Sequence, residues 1–374
     1  MLTRETINPT ELLAAVRQAT DDPTFELLEW DVHTLSNGGG TNPDGLLRVS
    51  GRGQGTKGIQ PWAVALKVIK LPDWEARPND LGYWLRESCA YGSGALAALP
   101  GPIRAARCYG TTESAGGTRI WLELLTDPSG RDWGLPDYAF AADQVARFNA
   151  ACIARPPDAA APWLTRNHAR SWHTIMNFEQ AWAAPSVRAA FPAPMQGRLE
   201  QLWKEHERCY AALDRLPQIF SHFDYKSRNL FLRQHAHGGR EVIAVDWGDC
   251  GIGVLGGDLA MLVSGSAFFL DWEPKRLTEL DAATWYAYIA ALYDAGWRGD
   301  VTQVRLAYLL WSALYFATPL AATTGLALKP ENTDDIQRIF SCSPERFVSA
   351  GVALADFTLA CADEAYDLMA RLDM

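Results

Sequence analysis

Short blocks of apolar and polar positions alternate through the first third of the chain. Residues 25–34, 45–50, 63–69, 104–111 and 119–125 read as strands, and the first two are joined by a glycine-rich turn. Ahead of them, Asn8-Pro9-Thr10-Glu11 reads as a helix start. Asn8 suits the cap, Pro9 the first helical position, and Glu11 can reach back, so a helix is predicted to about Ala19. One amphipathic helix is predicted over roughly 82–98, with Trp84, Cys89, Ser93 and Leu96 along one side. Pro100-Gly101-Pro102 ends it. This first part forms a small sheet with one main helix, closing near Thr126.

From Tyr138 the period becomes helical. Helices are predicted over 138–153, 167–182, 195–216 and 281–295, the last with Trp285, Ile289 and Leu292 on one face and Gly296 as its stop. Two short apolar runs, 229–233 and 242–245, flank a turn at 235–240 and predict a hairpin. His235-Ala236-His237 in that turn reads as surface, not as a metal site. The pattern as a whole is α+β: a small antiparallel sheet first, then a larger, mostly helical part. Residues 306–328 carry no charge and are long enough to cross a bilayer. Pro319, Thr323-Thr324-Gly325 and the interspersed Ala and Tyr instead predict a buried helix followed by a turn, with no membrane partner.

Composition narrows the classes. With 374 residues and 48% hydrophobic content, the chain has material for two lobes around a sizeable core. A formal net charge of −10 disfavours nucleic acid as a partner, since phosphates would be repelled. Seven widely spaced cysteines without a CxxC predict free thiols in a reducing compartment. The start, Met-Leu-Thr-Arg-Glu, has no apolar signal core, so a cytoplasmic location is predicted.

The candidate chemistry is concentrated in Ser221-His222-Phe223-Asp224-Tyr225-Lys226-Ser227-Arg228-Asn229, a His-x-Asp-x-x-x-x-Asn spacing placed directly before a strand. Asp246 follows the next strand, in Val245-Asp246-Trp247-Gly248. Phosphoryl transfer needs a carboxylate at the acceptor hydroxyl and oxygen ligands that hold Mg²⁺ against a triphosphate. Asp224 fits the first role, and Asn229 and Asp246 the second, because a hairpin brings the ends of its strands side by side. Lys67 stands inside an apolar strand, where lysine needs partners. Triphosphate oxygens and Glu87 on the following helix would supply them. Gly38-Gly39-Gly40, between the first two strands, could let backbone N–H groups approach phosphates.

On these residues the chain resembles the aminoglycoside phosphotransferase family, also called the phosphotransferase enzyme family, whose fold is protein-kinase-like and bilobal. The resemblance runs from about residue 25 to 258 and is sharpest at 222–229, Asp246-Trp247 and Gly256-Gly257-Asp258-Leu259-Ala260. It implies a nucleotide-binding lobe over 1–122 with a helix in 1–20, and a hinge at 123–127. A helical lobe over 128–374 would hold the catalytic loop 221–231 and an acceptor pocket within 259–374. It implies that His222 braces the catalytic loop and that Asp258 hydrogen-bonds the loop's backbone. It also implies that the main chain from Glu123 to Leu125 receives the base of ATP or GTP, and that Lys226 neutralises the transferred phosphoryl group.

Two departures matter. Phe223 stands where many members have Gly, and no Ala-Pro-Glu follows the metal Asp. Asp246 and Asp258 also lie too close together for a regulated activation loop, so a small molecule with a hydroxyl group is the expected acceptor. An aminoglycoside-like or other antibiotic is the first expectation, a sugar or amino sugar of metabolism the alternative, and a non-catalytic nucleotide-binding protein the third. Trp272, Trp285, Trp297 and Trp311, with acids such as Asp271, Glu273, Asp334 and Glu364, are candidates to line its pocket.

Overall fold

A computed structural model describes residues 4, 7–36, 43–114, 116–126, 132–234 and 238–374. The first helix, α1 (Pro9–Thr20), starts as its sequence directs: the Asn8 side chain accepts from the N–H groups of Thr10 and Glu11. Strands β1 (Glu26–Ser36), β2 (Pro43–Gly55) and β3 (Gly58–Lys70) then run antiparallel. With β5 (Cys108–Ser114) and β6 (Gly117–Glu123) they form a sheet of order β1-β2-β3-β6-β5. Side chains alternate across β3. Val64, Leu66 and Val68 face α1, in a cluster with Leu12, Ala15, Val16 and Trp121. Ala65 and Ile69 point the other way, into the main core with Ala90 and Tyr91 of α2 (Arg86–Gly92). Lys67 shares their parity and therefore points toward α2 and the cleft between the lobes.

Three predicted elements are corrected. The helix expected over 82–98 is only α2, because turns around Pro78 and Gly82 precede it and Gly94, at φ 77°, follows it. The helix expected over 167–182 is broken at Asn177, which takes φ 28°, into α4 (His168–Ile175) and Phe178–Trp182. The strand expected over 104–111 divides into β4 (Ile103–Ala105) and β5. Strand β4 leaves the first sheet and pairs in parallel with β9 (Arg240–Ala244), the second strand of the hairpin that β8 (Leu230–Gln234) begins. The order of that second sheet is β4-β9-β8. A strand from the first lobe therefore completes a sheet of the second.

The second lobe is built on α3 (Leu135–Ala154) and further helices around one large apolar core. β7 (Gln218–Ser221) leads into the loop 222–229 and pairs antiparallel with β10 (Gly251–Val254). The uncharged stretch forms helices Val301–Ser312 and Pro319–Ala327, joined by a π-helical turn at Ala313–Ala317, and is mostly buried inside this lobe. All seven cysteines are free.

Candidate active site

Four segments converge where the lobes meet. Lys67 comes from β3, Glu87 from α2, residues 222–229 from the loop between β7 and β8, and Asp246 from the exit of β9. The Lys67 ammonium lies 2.5 Å from Glu87 Oε2 and 2.6 Å from Asp246 Oδ1. Burial works against its charge, but the two carboxylates more than offset that and raise its pKa. Glu87 is fully buried, and the desolvation raises its pKa against the pull of Lys67. The Asp246 side chain is half exposed, and Lys67 holds its pKa down at about 2. Asp246 takes a left-handed backbone, φ 63°, which turns the chain sharply off β9.

The loop between β7 and β8, residues 222–229, is fixed from both ends. His222 Nε2 lies 3.0 Å from the Val245 carbonyl, and its Nδ1 accepts the Asp224 N–H at 3.2 Å. Burial lowers its pKa to about 4, so the ring is neutral at pH 7 with the proton on Nε2. Asp258 accepts the N–H groups of His222, at 3.2 Å, and Phe223, at 2.9 Å. Phe223 is left-handed at φ 64°, a conformation that a bulky residue holds only when its surroundings dictate it. Those surroundings are the Asp258 carboxylate and two parallel rings, His168 at 4.7 Å and Trp311 at 5.3 Å.

Asp224 is partly buried, and this desolvation raises its pKa to about 6 although Lys226 is paired with it. Asn229 Nδ2 donates to the Asp224 carbonyl at 2.9 Å and to its carboxylate at 2.7 Å. With the amide nitrogen so engaged, Asn229 Oδ1 is the atom left for a cation. Its main-chain carbonyl accepts the Val245 N–H at 2.9 Å, which ties this residue to the Asp246 turn. Asp246 Oδ2 accepts no hydrogen bond among the described residues. One amide oxygen and one carboxylate oxygen fit Mg²⁺, which takes few protein ligands and keeps water and phosphate oxygens.

A model of the phosphotransferase enzyme family matches residues 94–299, more than half of the chain. The chain belongs to that family. By this membership the protein is a small-molecule kinase. Solved structures of similar fold include a microcompartment-associated aminopropanol kinase, with TM-score 0.54, 14% identity, and 93% of this chain and 97% of that one covered. The GDP complex of aminoglycoside 2'-phosphotransferase-IIIa superposes with TM-score 0.52 at 13% identity, covering 95% and 99%. Choline kinase from Cryptosporidium parvum Iowa II gives 0.52 at 10% identity, covering 96% of each. At these identities the likeness is one of fold: kinase-like, with a five-stranded antiparallel sheet and a mostly helical second part. No curated protein matches the sequence significantly.

In this kinase the remaining predicted residues are placed as follows. Gly38, Gly39 and Gly40 lie outside the described residues, as do His235 and His237. The Glu123 carboxylate is held by Arg104 at 2.8 Å and Arg233 at 2.8 Å, and its N–H donates to the Arg107 carbonyl at 2.8 Å. That N–H is therefore not open to a base, whereas Leu125 follows the end of β6. Of the predicted pocket residues, Asp271 binds Arg228 and Ser227 of the catalytic loop, and Trp272 and Trp311 are buried in the core.

Three neighbours of the site were missed by sequence reasoning. The Phe269 ring faces the Lys226 ammonium at 4.7 Å and holds it beside Asp224. Asp249, three residues after Asp246, is a partly buried carboxylate with no hydrogen bond among the described residues. Its pKa is raised by burial, and it acts electrostatically on Asp224. Tyr315, on the π-helical turn, feels both Asp249 and Asp224. Its hydroxyl lies 3.1 Å from His168 Nε2, and its ring is stacked on Trp172 at 5.5 Å. Only Asp249 left a sequence signal, in Asp246-Trp247-Gly248-Asp249.

Proposed function

We propose that the protein transfers the γ-phosphoryl group of ATP or GTP, with Mg²⁺, to a hydroxyl of an aminated small molecule of the aminoglycoside kind. The support for transfer is Lys67, which meets Glu87 and Asp246 together across the cleft. The support for an aminated acceptor is Asp249. This carboxylate follows Asp246 by three residues, forms no hydrogen bond or ion pair among the described residues, and acts electrostatically on Asp224 and Tyr315, while Arg86 acts electrostatically on it. An ammonium group on the acceptor would further favour the charged form of that carboxylate.

Each residue then has a task. Lys67, oriented by Glu87, holds triphosphate oxygens. Asn229 Oδ1 and Asp246 hold Mg²⁺, which supplies charge neutralisation when bound. Asp224 orients the acceptor hydroxyl and takes its proton. Lys226, steadied by Phe269, faces the moving phosphoryl group. Main-chain groups near Leu125 receive the base, within a nucleotide lobe over 1–122, a hinge at 123–127 and a catalytic lobe over 128–374. Dependence on a nucleoside triphosphate supports a cytoplasmic site of action. Most of the acceleration comes from positioning and electrostatics.

The test is an acceptor panel of aminoglycosides, amino sugars and plain sugars with ATP and GTP. Asp224→Ala is expected to bind nucleotide normally and to lose about 10²–10⁴ in turnover. Undiminished transfer in that variant would remove Asp224 from the mechanism. Asp249→Asn is expected to raise KM for aminated acceptors by about tenfold, on the scale of one charge-assisted contact, with nucleotide affinity retained. Preference for plain sugars in the unmodified protein would replace the aminated acceptor with a sugar.

A further inference from the structure

Arg86 opens α2, immediately before the clamp residue Glu87. Its side chain is fully buried. Arginine does not deprotonate in proteins, so a buried guanidinium must be satisfied where it lies. Among the described residues it donates only to main-chain carbonyls, and they come from three separate segments. Nε reaches Trp163 at 2.9 Å, Nη1 reaches Gly248 at 2.9 Å, and Nη2 reaches Pro78 at 2.7 Å and Asp80 at 2.8 Å. Pro78 and Asp80 precede α2 in the first lobe. Trp163 lies between α3 and α4 in the second. Gly248 is in the turn that follows Asp246.

The same three segments are joined by weaker contacts. Thr165 Oγ1 donates to the Asn79 carbonyl at 3.4 Å, and the Ile252 N–H donates to the Thr165 carbonyl at 2.8 Å. Gly248 itself sits between the two acids that hold Lys67. A Cβ at this position would lie 3.7 Å from Asp246 Oδ1 and 3.9 Å from Glu87 Oε2. The carbonyl that Arg86 grips therefore belongs to the residue wedged inside the clamp.

We infer that Arg86 is a positioning residue that keeps α2 docked on the Asp246 turn before any nucleotide arrives, so that the Lys67–Glu87–Asp246 clamp is permanently assembled. This rests on the phosphotransferase reading above, in which that clamp holds the triphosphate. Kinase-like sites in which the helix bearing the Glu is free to swing can be switched off. In this protein one side chain bonds the helix, the metal-side turn and both lobes at once. If the docked state becomes a minority, apparent nucleotide affinity falls in proportion to the competent fraction.

The test is hydrogen–deuterium exchange at residues 86–92 of the full-length protein, with and without Mg²⁺ and a non-hydrolysable ATP analogue. In the unmodified protein these amides are expected to be equally protected in both conditions. Protection that appears only with the analogue would overturn the inference, and this arm needs no variant to fold. In Arg86→Lys, protection without nucleotide should be largely lost and the analogue should restore it; with a docked fraction of about one tenth, the analogue's dissociation constant should weaken by about tenfold. The acceptor KM should stay within about twofold, a split that a general loss of structure would not give. A folded Arg86→Lys protein with unchanged exchange and unchanged analogue affinity would equally overturn it. If instead the unmodified protein phosphorylates no acceptor but passes the exchange and analogue arms, the failure lies in the proposed function and not in Arg86.

Discussion

Asp224 is a carboxylate whose environment sets the pH at which it can act. Burial raises its pKa to about 6, so the proton-accepting form is lost as pH falls through that value. Asp258, which fixes the same loop, is raised by burial to about 6 as well. Turnover with saturating substrates is therefore expected to fall below about pH 6, with log kcat dropping more steeply than one unit per pH unit. A profile that stays level to pH 5 would contradict the assignment of Asp224 as base. For stability the sign is opposite to that of a salt-bridged acid. A carboxyl raised in the folded state binds its proton more tightly there, so Asp258 contributes less to stability as pH rises from about 4 to about 6. His222, Asp224, Asn229 and Asp246 were legible from spacing, because the loop that joins them is short and its ends are pinned by adjacent strands. Phe269 and Tyr315 were not, since Phe269 meets Lys226 from a turn farther along the chain, Tyr315 acts on Asp224 only electrostatically, and nothing near either in sequence signals it.

Among elements, β4 is where local pattern and tertiary structure part. Residues 104–111 read as one strand, yet the chain changes sheets at Ala106-Arg107. The reason lies in charges far apart in sequence. Arg104 on β4 bonds Glu123 at the end of β6 and Glu241 on β9, and Arg233 on β8 completes the group. Burial raises the Glu123 pKa, but the two arginines and the Arg107 N–H outweigh it and bring it to about 2. A depressed carboxyl contributes stability above its unfolded pKa, and that contribution is lost as pH falls through the folded value. Glu123→Gln should thus unfold at lower urea concentration than the unmodified protein at pH 7. The gap between their midpoints should shrink between about pH 4.5 and pH 2. A gap that does not change with pH would show that packing, not charge, is what Glu123 supplies. The shortened α2 has a similar lesson. Its apolar face suggested four turns, but the buried Arg86 and the turns before it confine regular helix to seven residues.

At the scale of the whole molecule, the order small sheet, one helix, then helices was readable from periodicity, because each part buries its own apolar face locally. The junction between the parts was not readable, since Arg86, Arg104 and β4 act across it with partners drawn from far along the chain. Strand β4 also has a consequence for how the protein is made. Arg104 and Glu241 are 137 residues apart. At ribosomal speeds of about 5–20 residues per second, β4 emerges roughly 7–30 seconds before its sheet partner exists. Until then Ile103 and Ala105 have no strand to bind, so the five-stranded sheet can close while the strand that ties it to the second part stays unpaired. The junction between the two parts thus closes only after the hairpin that leads to Asp246 has been synthesised.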